Sequence, residues 1–315
     1  MNWIKTKISE LKARAKKALK KMPTFSDVEA SNPWTSTECG PVLKSDLKKN
    51  LFQCPKCNKN QRIDYAKDRF DVFFGEGNYE IINIPIDKSM DDPLKWVDQK
   101  PYIQRLKEAR KKTNSNCAVE FAVGKLINGI EVTCGAISFA HLGGSIGLHE
   151  GNTILAGIDK AIEKKTPLIF FPCGGGQRMY ESAIALQQMT RTSLKVSEFK
   201  QTGLPYISCF VDPLFGGITA SFVWGDICFA EPGALVGFAG QRIIRAQTPG
   251  EIIDDSFQKS ESLLEHGFCD AIIERDVLNE KIGNLCSILL KRDELKTENA
   301  EENSNSIKKT ASVAS

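Results

Sequence analysis

The feature that most constrains the fold is an alternation of short apolar runs with longer helix-like stretches between Cys117 and about Arg292. The runs PLIFFPC and PYISCFVDP are rich in β-branched and aromatic residues, and helical stretches are predicted near 150–164, 178–200 and 217–223. Strands that alternate with helices of about ten to fifteen residues are typical of α/β architecture. The pattern therefore predicts an α/β core.

The flanks of this core differ from it in composition. Residues 1–33 are predicted to form a basic amphipathic helical arm and a linker, and residues 34–65 a small cysteine-bearing module. The main domain is predicted over 66–292, and the polar segment 293–315 is predicted to be a disordered tail. The narrow apolar stripe of the arm favours packing on a partner, although its lysines also fit a membrane surface or nucleic acid.

The cysteine content indicates the redox environment of the cellular compartment. Ten cysteines occur in the 315 residues, mostly in apolar segments, and no signal peptide is recognisable before them. We therefore expect reduced thiols and a cytoplasmic location, not a disulfide framework. No apolar run approaches the roughly 20 residues of a membrane span, so no membrane association is expected. A net charge of +3 is too small to indicate nucleic-acid binding by itself.

Three glycine-rich segments carry the candidate chemistry, and the second and third each follow an apolar strand and precede a predicted helix. Their glycines are Gly143, Gly144, Gly174, Gly175, Gly176, Gly216 and Gly217. A helix N-terminus offers unpaired N–H groups, and glycine lets a ligand approach the backbone. Two such turns aimed at one point would form an oxyanion hole, which suits a thioester enolate. The alternative is that the glycines only make tight turns or close packing.

Histidine chemistry is not indicated. The sequence holds only His141, His149 and His266, and none lies in a Ser–His–Asp or metal-binding pattern. We expect structural or surface roles for all three. Catalysis by backbone N–H groups is therefore favoured over catalysis by a histidine base.

The same segments resemble the β-subunit family of acetyl-CoA carboxylase carboxyltransferase. The run FAHLGGSIG at 139–147 is similar to the family's FAFMGGSMG, and GGQRMYE at 175–181 resembles GGARMQE. LPYI, DP and GG between residues 204 and 217 follow in the family's order, as do AEP.ALVGFAG and FQKSE. Each motif is weak alone, but their joint order is specific, and the resemblance runs from Trp3 to about residue 292.

The resemblance implies a crotonase-like spiral of β-β-α units. It also implies a reaction, in which a carboxyl group moves from biotin on a separate carrier protein to acetyl-CoA. The product would be malonyl-CoA for fatty acid biosynthesis. It implies that backbone N–H groups hold the enolate oxygen. The expected catalytic residues are Gly175, Gly176, Gly216 and Gly217. The expected substrate-binding residues are Gly143, Gly144, Gly174 and Arg178. The expected partners are a carboxyltransferase α subunit in an α2β2 assembly, the biotin carboxyl carrier protein and biotin carboxylase.

The family's four-cysteine zinc ribbon is incomplete in this sequence. The second knuckle, Cys54-Pro55-Lys56-Cys57, is intact, whereas the first holds Cys39 alone. Zinc held by Cys39, Cys54 and Cys57 would leave an open position for Glu38 or water. The alternative is a vestigial ribbon that is held together by packing and binds no metal.

Three other functions compete with carboxyl transfer. A related biotin-dependent acyl-CoA or malonate decarboxylase would share the fold. A hydratase would need paired carboxylates beside the glycine turns, where the sequence shows only Glu181. RNA binding through the ribbon and the basic arm is conceivable as a secondary activity, and no retention in gel shifts at low salt would exclude it.

Overall fold

The computed structural model describes residues 33–249 and 253–291. The chain divides into two compact units, Met1–Gln61 and Arg62–Ser315, so the boundary lies close to the predicted end of the cysteine-bearing module at residue 65. The predicted helical arm and the predicted polar tail lie outside the described residues.

The described part of the first unit is a hairpin followed by one short helix and a loop. Strands β1 (Trp34–Thr37) and β2 (Gly40–Leu43) pair antiparallel, and helix α1 (Lys44–Lys49) begins directly after β2. In the loop, the Cys54 N–H donates to the Lys59 carbonyl at 2.9 Å. This bond turns the chain back on itself around the second cysteine knuckle.

A seven-stranded sheet, with the strands side by side in chain order, forms the centre of the second unit. Its strands are β3 (Tyr79–Ile81), β4 (Val119–Lys125), β5 (Glu131–Ile137), β6 (Leu168–Phe171), β7 (Tyr206–Phe210), β8 (Ile227–Ala230) and β9 (Ala271–Ile272). β3, β4 and β5 pair antiparallel, and β5 to β9 pair parallel. Every residue of β6 and β7 is buried, which explains why these strands are apolar apart from Ser208 and show no polar alternation.

Helices of this unit lie between the strands in the chain. They are α2 (Ala66–Phe74), α3 (Tyr102–Thr113), α4 (Leu148–Lys164), α5 (Ser182–Lys200), α6 (Gln241–Gln247), α7 (Ser260–Glu265) and α8 (Leu278–Leu289). α4 packs against α5 and, through a buried face that includes Ile154 and Ile158, against the core. Short 3-10 turns occur at Lys88–Met90, Leu142–Gly144, Met179–Glu181 and Gly216–Ile218.

Isolated bridges outside the main sheet complete a repeating unit. Ile146 pairs with Gln177, Gly174 with Leu214, and Leu214 with Val236. A sheet strand, a bridging segment and then a helical segment thus recur along the chain. This arrangement is the predicted spiral of β-β-α units.

Two predicted helices differ from the structure. The helix predicted at 178–200 begins only at Ser182, after the 3-10 turn Met179–Glu181. The helix predicted at 217–223 is wrong, because the segment forms only the 3-10 turn Gly216–Ile218 and then further turns. Thr219 and Ser221 explain the difference, since their hydroxyls donate to the carbonyls of Gly216 at 2.6 Å and Gly217 at 2.8 Å. Such local bonds compete with a helix for the same carbonyl groups.

Candidate functional site

The three glycine turns predicted from the sequence meet in space. The Gly175 N–H donates to the Gly143 carbonyl at 3.0 Å, which joins the first turn to the second. The Phe215 N–H donates to the Gly174 carbonyl at 2.9 Å, which joins the second to the third. Backbone hydrogen bonds therefore fix the relative position of all three turns.

The second and third turns touch through their glycine backbones. A Cβ atom added to Gly216 would lie 2.7 Å from the Gly176 Cα, and one added to Gly176 would lie 3.4 Å from the Gly217 nitrogen. Gly176 and Gly216 also have φ angles of +111° and +70°, which other residues rarely adopt. Both positions require glycine for their conformation and for the close approach of the two turns.

Several N–H groups of the second and third glycine turns are engaged within the protein. The Gly174 N–H donates to Pro213 at 2.6 Å, the Gly175 N–H to Gly143, and the Gly216 N–H to Phe238 at 2.8 Å. Among the described residues, the Gly176 and Gly217 N–H groups donate no hydrogen bond. Gly176 and Gly217 are therefore the two predicted catalytic glycines whose N–H groups have no hydrogen-bond acceptor among the described residues, and both residues are buried.

The environment of these N–H groups differs from the prediction in one respect. Helix α5 begins at Ser182, so five residues, 177–181, separate Gly176 from the helix N-terminus. The polarity of the Gly176 N–H therefore comes from the turn and not from a helix dipole. Gly217 lies in the 3-10 turn Gly216–Ile218, and the helix predicted to follow it is absent.

Arg178 is buried beneath the turns. It is 1% exposed, and its guanidinium donates to the Ser145 carbonyl at 2.5 Å and lies 2.8 Å from a Glu150 carboxylate oxygen. A second nitrogen lies 3.3 Å from the Glu181 carboxylate and donates to the Tyr102 hydroxyl at 3.2 Å. The side chain predicted to bind substrate thus makes its described contacts inside the protein.

Glu150 and Glu181 join the same network, and of the two only Glu181 lies in a motif of the sequence. The Glu181 carboxylate accepts from the Leu148 N–H at 2.6 Å, and the Glu150 carboxylate accepts from the Gly147 N–H at 3.0 Å. The two carboxylates thus cap the start of α4, where negative charge is favourable. They are engaged in structural bonds, which is not how the paired carboxylates of a hydratase would be placed.

Stability at acid pH should depend on Glu150. Burial disfavours its ionised form, but the charge and hydrogen bonds of Arg178 outweigh burial and hold the pKa of Glu150 at about 2, against an ordinary value of 4.5. A lowered folded-state pKa stabilises the fold above the ordinary value, and that stabilisation is lost as the pH falls from 4.5 toward 2.

The corresponding measurement is urea unfolding at pH 7 and pH 3. We expect Glu150→Gln to lose less stability than the unsubstituted chain over this interval, because one acid-sensitive carboxylate is gone. Burial also disfavours the ionised form of Glu231, but the charges of Arg69 and Arg275 outweigh burial and hold its pKa at about 2. Both proteins should therefore still lose some stability between pH 7 and pH 3. Equal losses in the two proteins would contradict the assignment for Glu150.

The histidines have structural partners, as the sequence analysis expected. The buried His141 Nδ1 lies 3.2 Å from the Thr113 hydroxyl, and the buried His149 Nε2 lies 3.0 Å from the Asp91 carboxylate. Burial lowers the pKa of His141 to about 4, so this ring is neutral near pH 7. His266 follows the last residue of α7.

The three predicted metal ligands converge in the first unit. The Sγ atoms of Cys39, Cys54 and Cys57 all lie within 4.8 Å of one another. Thiolates at this spacing are the donor set that zinc prefers, so the residues fit the metal that the sequence analysis considered. All ten cysteines are free thiols.

Large apolar side chains are exposed around the glycine turns. Met179, which follows the second turn, is 76% exposed, and Phe238, whose carbonyl accepts from the Gly216 N–H, is 68% exposed. Exposed apolar groups beside a site suggest a surface that another protein covers. Within the described residues, no helix has the length and apolar composition to cross a membrane.

Comparison with known proteins places these features in a family. Residues 92–312 match the carboxyl transferase domain. A protein of Pelagibacter ubique named acetyl-coenzyme A carboxylase carboxyl transferase subunit beta is 48% identical over 294 residues, covering 93% of each chain. A protein of the same name from Chelativorans sp. is 40% identical over 294 residues, covering 92% of each chain.

Solved structures share the fold at low identity. A Pseudomonas malonate decarboxylase hetero-tetramer in complex with malonate aligns with a TM-score of 0.54 at 19% identity, covering 72% of this chain and 82% of that one. Transcarboxylase 12S, with methylmalonyl-coenzyme A and methylmalonic acid bound, aligns with a TM-score of 0.52 at 19% identity, covering 71% of this chain and 41% of that one. These neighbours have the crotonase-like fold predicted for the main domain.

Proposed function

The chain belongs to the carboxyl transferase family, among relatives named as subunit beta of acetyl-coenzyme A carboxylase carboxyl transferase, and from that premise we propose how its glycine turns act. The activity is transfer of a carboxyl group to acetyl-CoA, which gives malonyl-CoA. The decarboxylase alternative rests on structures only 19% identical, which supports a shared fold and no more.

The N–H groups of Gly176 and Gly217 are the proposed oxyanion hole. Removal of the α-proton of acetyl-CoA turns the thioester into an enolate, and its negative charge develops on the thioester oxygen. Two preorganised donors stabilise that charge more than they stabilise the neutral thioester. The observation that supports this assignment is the pair of unengaged N–H groups on glycine turns in direct contact.

The neighbouring residues have supporting roles in this proposal. Gly175 and Gly216 use their N–H groups to hold the turns, and Gly174 is bonded to Pro213. Gly143 has open space where a side chain would stand, and Gly175 is exposed, so both leave room for an acyl-CoA to approach. Gly144 packs against Gly174, and the Arg178 side chain joins the second glycine segment to Ser145 of the first.

The α-proton leaves to a group outside this chain in the proposed reaction. Carboxybiotin, when bound, would supply the CO2 and a ring nitrogen basic enough to take the α-proton. The α-carbon of the enolate then forms the new C–C bond to CO2, and the thioester carbonyl re-forms. His141 and His149 are buried and lie against Thr113 and Asp91, and neither is proposed as the base.

A second subunit is proposed to complete the active site. The exposure of Met179 and Phe238 beside the turns supports a covering partner. By family membership this partner is the carboxyltransferase α subunit in an α2β2 assembly, with the biotin carboxyl carrier protein and biotin carboxylase as further members of the complex. Ten free thiols support the proposed cytoplasmic location. RNA binding stays a prediction from the sequence.

Reconstitution tests the proposed activity directly. The full chain, co-purified with its α partner, should carboxylate biocytin in a malonyl-CoA-dependent reaction, the reverse of the physiological transfer. Neither subunit alone should show this activity, because each contributes one half of the site. An inactive complex of folded, assembled subunits would overturn the proposal.

A further inference from the structure

Thr37 lies beside the three-cysteine cluster, at the end of β1. Its hydroxyl oxygen is 3.6 Å from the Cys54 Sγ, and the residue is 9% exposed. Cys39, the first cysteine of the cluster, lies only two residues further along the chain. An oxygen atom thus stands next to one of the three converging thiols, that of Cys54.

The hydrogen bonds of Thr37 show how this oxygen is oriented. Its O–H donates to the Gly40 carbonyl at 2.8 Å, and its oxygen accepts from the Cys39 N–H at 3.3 Å. A hydroxyl has one hydrogen and two lone pairs. With its hydrogen directed at the Gly40 carbonyl, the Thr37 oxygen presents a lone pair toward the Cys54 Sγ. Metal binding removes thiol protons, which would leave this lone pair facing the Cys54 thiolate.

The spacing fits a tetrahedral site. Zn–S bonds of about 2.3 Å and Zn–O bonds of about 2.1 Å at tetrahedral angles separate a ligand oxygen from a ligand sulfur by about 3.6 Å. The Thr37–Cys54 separation is 3.6 Å. Two ligand sulfurs would be about 3.8 Å apart. Thiols that now lie within 4.8 Å of one another therefore need to move closer by no more than about 1 Å.

We propose that Cys39, Cys54, Cys57 and the Thr37 hydroxyl form a three-sulfur, one-oxygen site for a thiophilic divalent cation, with Zn²⁺ the best match. A neutral hydroxyl binds such a cation more weakly than a thiolate does. The oxygen corner is therefore displaceable by an external thiol. In this respect the site resembles metal centres with an open position more than closed structural ribbons. The inference is independent of the carboxyl-transfer chemistry.

Cobalt substitution in the reduced full chain tests the ligand set by absorbance. Wild type should show the absorbance bands of tetrahedral Co²⁺. Its thiolate-to-cobalt charge-transfer absorbance should be about three quarters of that of Thr37→Cys, because wild type offers three sulfur ligands and the variant offers four. Adding 2-mercaptoethanol should raise the wild-type absorbance toward that of the variant. Thr37→Cys itself should not respond, because its fourth corner is already a thiolate.

Zinc exchange provides a second measurement on the same proteins. A chelator should remove Zn²⁺ from wild type at least about tenfold faster than from Thr37→Cys. Thr37→Val, which matches threonine in shape but lacks the oxygen, should bind Co²⁺ more weakly than wild type. The circular dichroism spectrum of each variant checks that the first unit has kept its fold.

Several results would overturn the proposal. Folded wild type that binds no Co²⁺ would leave the vestigial ribbon as the explanation. Equal charge-transfer absorbance in wild type and Thr37→Cys would mean that another thiolate fills the fourth corner. No response of the wild-type complex to 2-mercaptoethanol would show that this corner is closed, and unchanged affinity in Thr37→Val would remove Thr37 from the ligand set.

Discussion

Gly217→Pro should lower the kcat of the reconstituted carboxyltransferase by about 10²- to 10³-fold, the usual cost of losing one oxyanion donor. Proline has no N–H, and it is tolerated in the first turn of a helix, where the N–H has no intrahelical partner. Gly217 lies in the 3-10 turn Gly216–Ile218 and does not have a positive φ. The substitution therefore removes the proposed donor at a position in a first helical turn that has no positive φ.

Gly217→Ala is the matched control because it keeps the N–H. The added Cβ would meet the Met189 sulfur at 2.8 Å and the Gln177 Cγ at 2.9 Å, which belong to flexible side chains. We expect a kcat loss of less than about tenfold for this variant, since no donor is removed. Steady-state kinetics with malonyl-CoA and biocytin give both values.

The division of the effect between kcat and KM identifies the interaction. A donor that acts mainly on the enolate lowers kcat with little change in the KM for the acyl-CoA, whereas a donor that binds the ground state equally well raises KM. Both variants must also assemble with the α partner as wild type does. If assembled Gly217→Pro keeps more than a tenth of the wild-type kcat, the Gly217 N–H is not an oxyanion donor.

The sequence sufficed for the central strands and for the glycine turns because both are locally encoded. The buried strands β6 and β7 are apolar apart from Ser208, and a turn that brings backbones into contact demands glycine. The short edge strands β3 and β9 have no such local pattern and were not predicted. The segment 217–223 was mispredicted because hydroxyl groups in it bond to backbone carbonyls that a helix would need.

The hydrogen-bonding state of each glycine could not be predicted in the same way. Whether Gly175 or Gly176 has an unengaged N–H depends on the Gly143 carbonyl, which a distant turn supplies. The role of Arg178 depends likewise on partners far away in the chain, such as Tyr102, 76 residues before it. A sequence motif indicates that such a residue matters. It does not show whether the side chain contacts the substrate or stabilises the backbone of the site.

Arg178→Met should destabilise the folded chain by about 3–5 kcal/mol, the usual cost of leaving a buried charge without its partner. The side chains of Arg178, Glu150 and Glu181 are at most 2% exposed. Without the guanidinium, two buried carboxylates would face each other with no positive charge between them. Urea unfolding of the isolated chain measures the loss as a shift of the midpoint.

A double variant separates this electrostatic effect from the lost packing. Arg178→Met combined with Glu150→Gln restores the wild-type net charge of the network, because one positive and one negative charge are removed together. Glu181 keeps its bonds from the Tyr102 hydroxyl at 2.6 Å and from the Leu148 N–H at 2.6 Å. We therefore expect the double variant to recover part of the stability that Arg178→Met loses.

The same variants decide between the two roles of Arg178. A substrate-binding arginine, as the sequence predicts, would be dispensable for folding, and its loss would raise the KM for acyl-CoA. An arginine that holds the Ser145 carbonyl beneath the turns would, when lost, lower stability and kcat together, because the turn carrying Gly176 would move. If Arg178→Met unfolds at the wild-type urea midpoint and has a raised KM for acyl-CoA, Arg178 binds the substrate, as the sequence predicts.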